Sequence, residues 1–370
     1  MKIPAAVLWE YGQDWRVEEM DLDDPREGEV LVRLAASGLC HSDEHVRLGD
    51  LPMAGLPCIG GHEGAGVVER TGPGVSKVAE GDHVVLSFIP ACGDCTWCAS
   101  GHQNLCDQGA GLTVGLQRDG TARHHVGGRD ARLMCLLGTF APYTVCGESS
   151  VVRIDSDIPL DKAALVGCGV TTGWGSAVYG AGVRAGDTVA VLGIGGVGAS
   201  AVQGARIAGA TQIIAVDPAP FNREQARRFG ATHTFATAAQ AAAALPDLTR
   251  GAMANSALIT VGLATPTIIS DGLSLVGKLG TVVLTSIAPV TSRAVELPMF
   301  ELTAYQKKVV GCLFGNASPR ADIPRLLRLY RDGDLLLDEL VTRTYELGEV
   351  NAGYQDMREH RNVRGMILFG

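Results

Sequence analysis

Apolar residues recur along this chain in two rhythms, and the change between them marks its architecture. From residue 3 to about 89 they come as short runs at 30–35, 66–70 and 83–87. Gly, Pro and Asp break these runs, with turns at Pro25-Arg26-Glu27-Gly28 and Gly72-Pro73-Gly74. Short strands punctuated in this way predict an antiparallel, barrel-like β domain. Residues 91–106 are too rich in cysteine to be ordinary packing, 107–139 are glycine-rich, polar and hard to assign, and β character returns at 143–154. From near Cys168, short apolar runs alternate with longer stretches that suit helices. Strands are predicted at 189–192, 213–216, 258–261, 281–285 and 309–313, with helices at 199–209, 223–229 and 268–275 and an alanine-rich surface helix at 236–245. That alternation predicts an α/β fold with a doubly wound parallel sheet. An amphipathic helix follows from Pro324 to Arg331, and residues 364–369 read as a strand returning to the first domain. No internal repeat or low-complexity linker interrupts the pattern.

The stretch TVAVLGIGGVGASAVQGARIAGATQIIAVD, residues 188–217, organises the second half. A buried strand runs straight into Gly193-Ile194-Gly195-Gly196-Val197-Gly198; a small-residue helix and a second strand follow, ending on Asp217, 19 residues past Gly198. The glycines allow a tight turn, backbone approach to a pyrophosphate and close helix–strand packing. The helix N-terminus offers free N–H groups to phosphates. Asp217 can accept from ribose hydroxyls and would repel a 2′-phosphate, which favours NAD over NADP. Strand, glycine turn, helix, second strand and acid all fall in place, so we read a dinucleotide site.

Composition narrows the rest. A chain of 370 residues suggests two domains. The net charge of −9 offers no basic surface for nucleic acid or anionic membrane. No apolar run reaches the ~18 residues of a membrane span. The N-terminal MKIPAAVLWEYGQDW lacks the apolar core of a signal peptide. Ten cysteines without a secretory leader point to thiols or metal ligands in a reducing compartment, so a cytoplasmic location is expected.

Cys92, Cys95, Cys98 and Cys106 follow a Cys-x2-Cys-x2-Cys-x7-Cys pattern. Four thiolates in one short lobe can close a tetrahedron around a structural Zn2+. An iron–sulfur cluster is the rival, but bacterial ferredoxins bring their fourth cysteine sooner and ahead of a proline, whereas Cys106 precedes Asp107. A second group is dispersed: Cys40 in GLCHSDEH, His62 in GGHEGAG and Cys168 in VGCGVTTG, each beside glycines that let the backbone fold closely round an ion. Taken singly, each could be a buried thiol or a satisfied histidine. Cys58, Cys135, Cys146 and Cys312 lack such company and read as structural.

GHE, the four-cysteine lobe, GCGVTTG and GIGGVG, in this order and spacing, resemble the zinc-dependent medium-chain alcohol dehydrogenases over essentially the full chain. Grouping Cys40, His62 and Cys168 as a catalytic zinc site with an open fourth position rests on this resemblance. It implies a GroES-like, mostly antiparallel β catalytic domain over 1–168, a Rossmann domain over 169–313, a return to the first domain over 314–370, and an active site in the cleft. Carried over, Glu63 sits beside the zinc and Asp43 accepts from the far nitrogen of His62. Ser42 bonds the alcohol oxygen and His45 passes its proton to solvent. His41 approaches the pyrophosphate, Arg364 clamps it, Thr172 packs near the nicotinamide, and Val261 and Ile287 join the cofactor contacts. Phe88, Leu51, Leu137, Ile287 and Leu313 would line an apolar pocket for alkyl or aromatic alcohols. The implied chemistry is zinc acting as a Lewis acid, followed by hydride transfer to the nicotinamide.

LWEYGQDWRVEE, SFIPACGDCTWCASGHQNLCD and MCLLGTF look like the nicotinoprotein branch, the nitrosodimethylaniline-dependent, mycofactocin-associated enzymes. That resemblance implies an NAD(H) that stays bound and is reoxidised in place by a carrier such as mycofactocin, and a homo-oligomer. Thr285 and Ser286 depart from it, standing where many relatives have an apolar residue and Gly. Their hydroxyls either help retain the cofactor or have no consequence. Two competing readings are a related enzyme with exchangeable NAD, such as a thiol-dependent formaldehyde dehydrogenase, and a non-catalytic zinc or redox sensor. A sensor has no need of the Ser42 and His45 relay.

Overall fold

The punctuated strands of the first rhythm pair into two sheets. The computed structural model describes residues 1–289, 291–295 and 297–370, and it divides into residues 1–168 with 318–370 and residues 169–317. In the first unit one sheet is ordered Arg129–Asp130, His124–Val126, Arg16–Leu22, Lys2–Leu8, Cys58–Ile59, Arg132–Leu133. The other centres on Glu29–Gly38, which pairs antiparallel with Glu63–Thr71, Tyr143–Gly147 and the C-terminal strand Arg364–Leu368. Gly38 lies opposite Glu63 in one ladder and opposite Met366 in the other. Three segments remote in sequence therefore end at one place. Packed against them is an apolar cluster that includes Leu8, Trp15, Leu39, Phe140, Tyr354 and Ile367. Each large apolar side chain buried there is worth ~1.5–3 kcal/mol over exposure.

The second unit is a parallel sheet ordered His233–Phe235, Gln212–Val216, Thr188–Leu192, Ala254–Ile259, Val276–Leu284, Lys308–Gly311. Thr188–Leu192 is buried throughout, as a central parallel strand must be. Strand order reverses between it and Ala254–Ile259, which is the topological switch point where such sheets bind ligands.

Several boundaries differ from the sequence reading. The helix predicted from Pro324 begins at Pro319, because that proline suits the first helical position and buried Ile323, Leu326 and Leu327 hold the turns around Pro324. Residues 107–139 hold short turns and strand fragments, fixed by the buried ion pair of Arg123 with Glu29 (2.6 Å). The last predicted strand is Lys308–Gly311, and the turn Phe314–Asn316 packs on the helix Gly169–Gly175. That packing keeps residues 314–317 with the parallel sheet, so the return to the first unit falls at Ser318 rather than at 314.

Candidate functional site

Local turns build the four-cysteine lobe. The backbone N–H of Cys95 donates to the Cys92 sulfur at 3.4 Å, and that of Cys98 to the Cys95 sulfur at 3.4 Å. The four Sγ atoms all lie within 4.8 Å of one another, and Cys92 and Cys98 are 3.8 Å apart. Thiolates at ~2.3 Å from a single tetrahedral ion stand about 3.8 Å apart, so the spacing fits one zinc. Backbone N–H groups at Asp107 and Cys98 pull the Cys95 thiol down to about 6, while burial pushes Cys98 up to about 12.

The sheet registers assemble the dispersed group. Ligand atoms of Cys40, His62, Glu63 and Cys168 also lie within 4.8 Å of one another, and all four residues are buried. Cys40 follows the strand Glu29–Gly38, His62 precedes Glu63–Thr71, and Cys168 follows a turn whose Gly167 carbonyl accepts from the Phe88 N–H at 3.4 Å. Gly38 lets the Glu63 carboxylate lie against the strand: an added Cβ there would displace it from its place beside Arg364. His62 Nδ1 lies 3.0 Å from Asp43 Oδ2, which leaves Nε2 for the cluster, and Asp43 Oδ1 accepts from the Gly61 N–H at 2.7 Å. Against the cost of burial, the charges of Asp43 and Cys40 hold the His62 imidazole well above its ordinary value. A hydrogen bond with Cys168 and the charge of His62 hold the Cys40 thiol well below its own, and Cys168 is correspondingly raised. Two thiols, one of them acidified, and one oriented imidazole are a donor set for zinc.

Arg364, which the resemblance assigns to the pyrophosphate, sits beside Glu63. Its Nη2 donates to the Glu63 carboxylate, its side chain is buried, and Nε has no partner. The register of Met366 with Gly38 forces this by setting Arg364 beside Glu63. Burial opposes its charge, but Glu63, Cys40 and Cys168 raise the guanidinium above its ordinary value.

The helix His41–Leu48 carries the rest of the predicted relay. His41 is exposed, the Ser42 hydroxyl lies 3.7 Å from the Cys40 sulfur, and His45 lies one turn further on. His45 Nδ1 pairs with Asp50 Oδ2 at 3.1 Å, a partner the sequence reading missed; the only signal was an acid just past the helix-ending Gly49. Phe88 stacks edge-on to His62 with ring centroids 5.9 Å apart, and Leu51 packs on the same cluster. Leu137 is fully buried with Val30, Leu34 and Leu86, in a cluster on which Phe88 packs. Leu313 is 45% exposed.

In the parallel-sheet unit the glycine loop divides its labour as its sequence suggests. Gly193 has φ +89, and a Cβ there would lie 2.8 Å from Val261 Cα; a Cβ on Gly198 would strike the Gly193 carbonyl. Gly195 faces open space, and the helix Gly196–Ile207, with Val197 in its first turn, starts directly after it. Asp217 accepts from the Ile194 N–H at 2.7 Å and from Asn222 Nδ2 at 3.1 Å, so its carboxylate braces the loop. Thr172 is buried with its hydroxyl unpartnered, and Ile287 bridges to Leu263. An open glycine-lined helix start and an orphaned buried hydroxyl fit a nicotinamide dinucleotide.

Comparison with known proteins gives the same picture. Residues 26–156 match the alcohol dehydrogenase GroES-like domain, and 196–332 match the zinc-binding dehydrogenase family. The chain is 54% identical over 368 residues to the NDMA-dependent alcohol dehydrogenase of Amycolatopsis methanolica, covering 100% of this chain and 99% of that one. It is 48% identical over 370 residues to alcohol dehydrogenase B of Mycobacterium tuberculosis, with 100% and 99% covered. Among solved structures, an alcohol dehydrogenase zinc-binding domain protein from Burkholderia ambifaria superposes with TM-score 0.93 at 34% identity, covering 100% and 99%. Benzyl alcohol dehydrogenase from Acinetobacter calcoaceticus gives 0.92 at 32%, with both chains fully covered. Among the described residues no helix is long and apolar enough to cross a membrane.

Proposed function

Since the chain belongs to the zinc-binding alcohol dehydrogenase family, we propose that it oxidises primary alcohols to aldehydes, and runs the reverse, on an NAD(H) that stays bound and is reoxidised in place by another electron carrier. The observation that carries the alcohol chemistry is the buried convergence of Cys40, His62 and Cys168. Zinc held there supplies Lewis acidity to an alcohol oxygen, and NAD supplies the hydride acceptor. The protein's own groups do the rest. Asp43 fixes the His62 ring through Nδ1, so that Nε2 faces the site. The pairing of Glu63 with Arg364 sets a neutral pair beside the thiolates. Ser42 takes the proton of the alcohol as it passes its own on towards His45, and His45 delivers a proton to solvent, with Asp50 accepting from Nδ1–H so that Nε2 is the atom that receives it. Asp217 and the 193–198 loop hold the dinucleotide, with His41, Thr172, Val261 and Ile287 as its further contacts.

Retention of the cofactor is supported by similarity to a relative named for NDMA dependence, and mycofactocin is the carrier we favour. We place the enzyme in the cytoplasm as a homo-oligomer. Its sheet ends at Lys308–Gly311, and the preceding helix leaves Met299 79% and Phe300 75% exposed. The test is to desalt purified protein extensively, release its contents with heat or acid, and count zinc and nicotinamide per subunit. About two zinc ions, one per donor set, with one NAD(H), is the expected result. Zinc without nicotinamide would sink the retention reading in favour of an ordinary NAD-exchanging dehydrogenase.

A further inference from the structure

The parallel-sheet unit ties down the segments around its glycine loop with side-chain hydroxyls. Thr260 Oγ1 lies 3.1 and 2.7 Å from the carbonyls of Leu192 and Gly193, the shorter contact taking its hydrogen. Ser286 Oγ lies 3.1 Å from the Ile259 carbonyl and 2.6 Å from that of Val261, whose backbone abuts Gly193. Thr285 Oγ1 is 2.8 Å from Ser176 Oγ, and Ser176 donates to the Thr172 carbonyl at 2.7 Å. A hydroxyl has one hydrogen. Ser176 spends its hydrogen on Thr172, so Thr285 is the donor to Ser176, and the chain runs Thr285 to Ser176 to Thr172. The next residue, Ile287, accepts from the Ala264 N–H at 2.8 Å. Residues 285–287 are thus anchored at three successive positions, to Ser176 on one side and to residues 259–264 on the other. Among these groups, only the Thr172 side-chain hydroxyl is left buried and unpartnered.

We infer that Thr285 and Ser286 form a hydroxyl clasp that fixes Thr172 and Val261 in their cofactor-bound positions beforehand, and thereby slows release of the nicotinamide dinucleotide. This rests on the reading that the cofactor is retained. Neither hydroxyl needs to touch the cofactor, since each already bonds within the protein. They are positioning residues. A wall ordered in advance loses less freedom when the ligand binds, so more of the contact energy appears as affinity. Release by parting the walls must also break these bonds. A buried hydrogen bond contributes a net ~0.5–1.5 kcal/mol, or about two- to tenfold per hydroxyl.

The experiment compares wild type with Thr285→Val, Ser286→Ala and the double variant, each loaded with NADH. Release is followed by loss of bound-NADH fluorescence against excess NAD, with the thermal midpoint measured alongside. Each single variant is expected to release NADH about two- to tenfold faster, and the double variant faster than either single one. Thr285→Ser and Ser286→Thr keep the hydroxyls and should restore slow release. Wild-type release rates in both Val and Ala variants would overturn the clasp. A lowered midpoint with unchanged release would do the same, assigning the hydroxyls to folding alone. If wild type itself sheds NADH on desalting, the retention reading fails separately. The clasp then still requires the Kd for NADH to rise by the same factors, and an unchanged Kd overturns it.

Discussion

The two donor sets of the first unit are made of similar groups but built in opposite ways. Cys92, Cys95, Cys98 and Cys106 come from one short segment, and Cys92 and Cys95 are only half-buried. Backbone N–H bonds to sulfur within that segment set their geometry. Cys40, His62 and Cys168 come from three places, all buried, and meet because Glu29–Gly38 pairs with Glu63–Thr71 and the turn Ala164–Gly167, which leads into Cys168, packs on that second strand. Four thiolates would close a shell round an ion; two thiolates and an imidazole, with Glu63 held by Arg364, would leave one position open. A local chelate can serve stability, whereas a site held by the core can hold an ion and still present it.

The contrast is broken most directly by exchanging one ligand in each set. Cys40→Ser is expected to abolish alcohol oxidation while the lobe keeps its zinc. Cys106→Ser should lose the lobe's zinc, leave the buried set loaded, and lower the thermal midpoint, because metal binding in such a lobe is folding free energy. Zinc per subunit, turnover and the melting curve read both variants. Activity surviving in Cys40→Ser would show that the dispersed set is not the reaction centre. Loss of both zincs from either variant would show that the two sets are not independent.

A smaller effect tests how the buried set is oriented. Asp43→Asn keeps the shape but removes the charge facing His62 Nδ1. Loss of such an outer partner costs about 10- to 100-fold in metal affinity or activity. The expected result is that loss in kcat/KM, with weaker zinc retention at the buried set and unchanged retention at the lobe. An unaltered enzyme would mean that Asp43 serves only to accept from Gly61.

The same contrast explains what could be read from the chain. The lobe and the 193–198 loop are local, so spacing and turn chemistry announce both. The dispersed ligands have no spacing of their own, and only resemblance groups them, because a register between distant strands leaves no periodic mark. The pairing of Arg364 with Glu63 stayed hidden for that reason. Residues 107–139 resisted assignment because their anchor, Arg123 on Glu29, is an ion pair 94 residues apart in sequence. The role of Asp217 as a loop brace needs the fold of the loop before it can be seen.

The lobe is less self-contained than its spacing suggests, and that supplies the finest test of the comparison. Four thiolates around a divalent ion leave two negative charges, and a second, distant segment answers them. At the start of the helix Pro319–Arg331, Arg320 donates from Nε to the Ala91 carbonyl at 3.0 Å and from Nη2 to that of Glu148 at 3.4 Å. Ser318 Oγ reaches the Gly101 carbonyl at 3.3 Å, and Lys77 donates to the Cys92 carbonyl at 3.1 Å. Burial lowers the guanidinium from its ordinary value, while Glu148 and the thiols of Cys98, Cys92 and Cys106 pull it back up. Arg320→Gln removes the charge and the fork together. Because the group is only half-buried, the loss is about 1 kcal/mol, or roughly a fivefold faster release of the lobe's zinc to a chelator. Arg320→Lys keeps the charge without the planar fork and should fall between wild type and Gln. The buried zinc is the internal control, since its release should not change. Equal lobe release in all three proteins would mean that the lobe closes on local geometry alone, and that the C-terminal segment only rests against it.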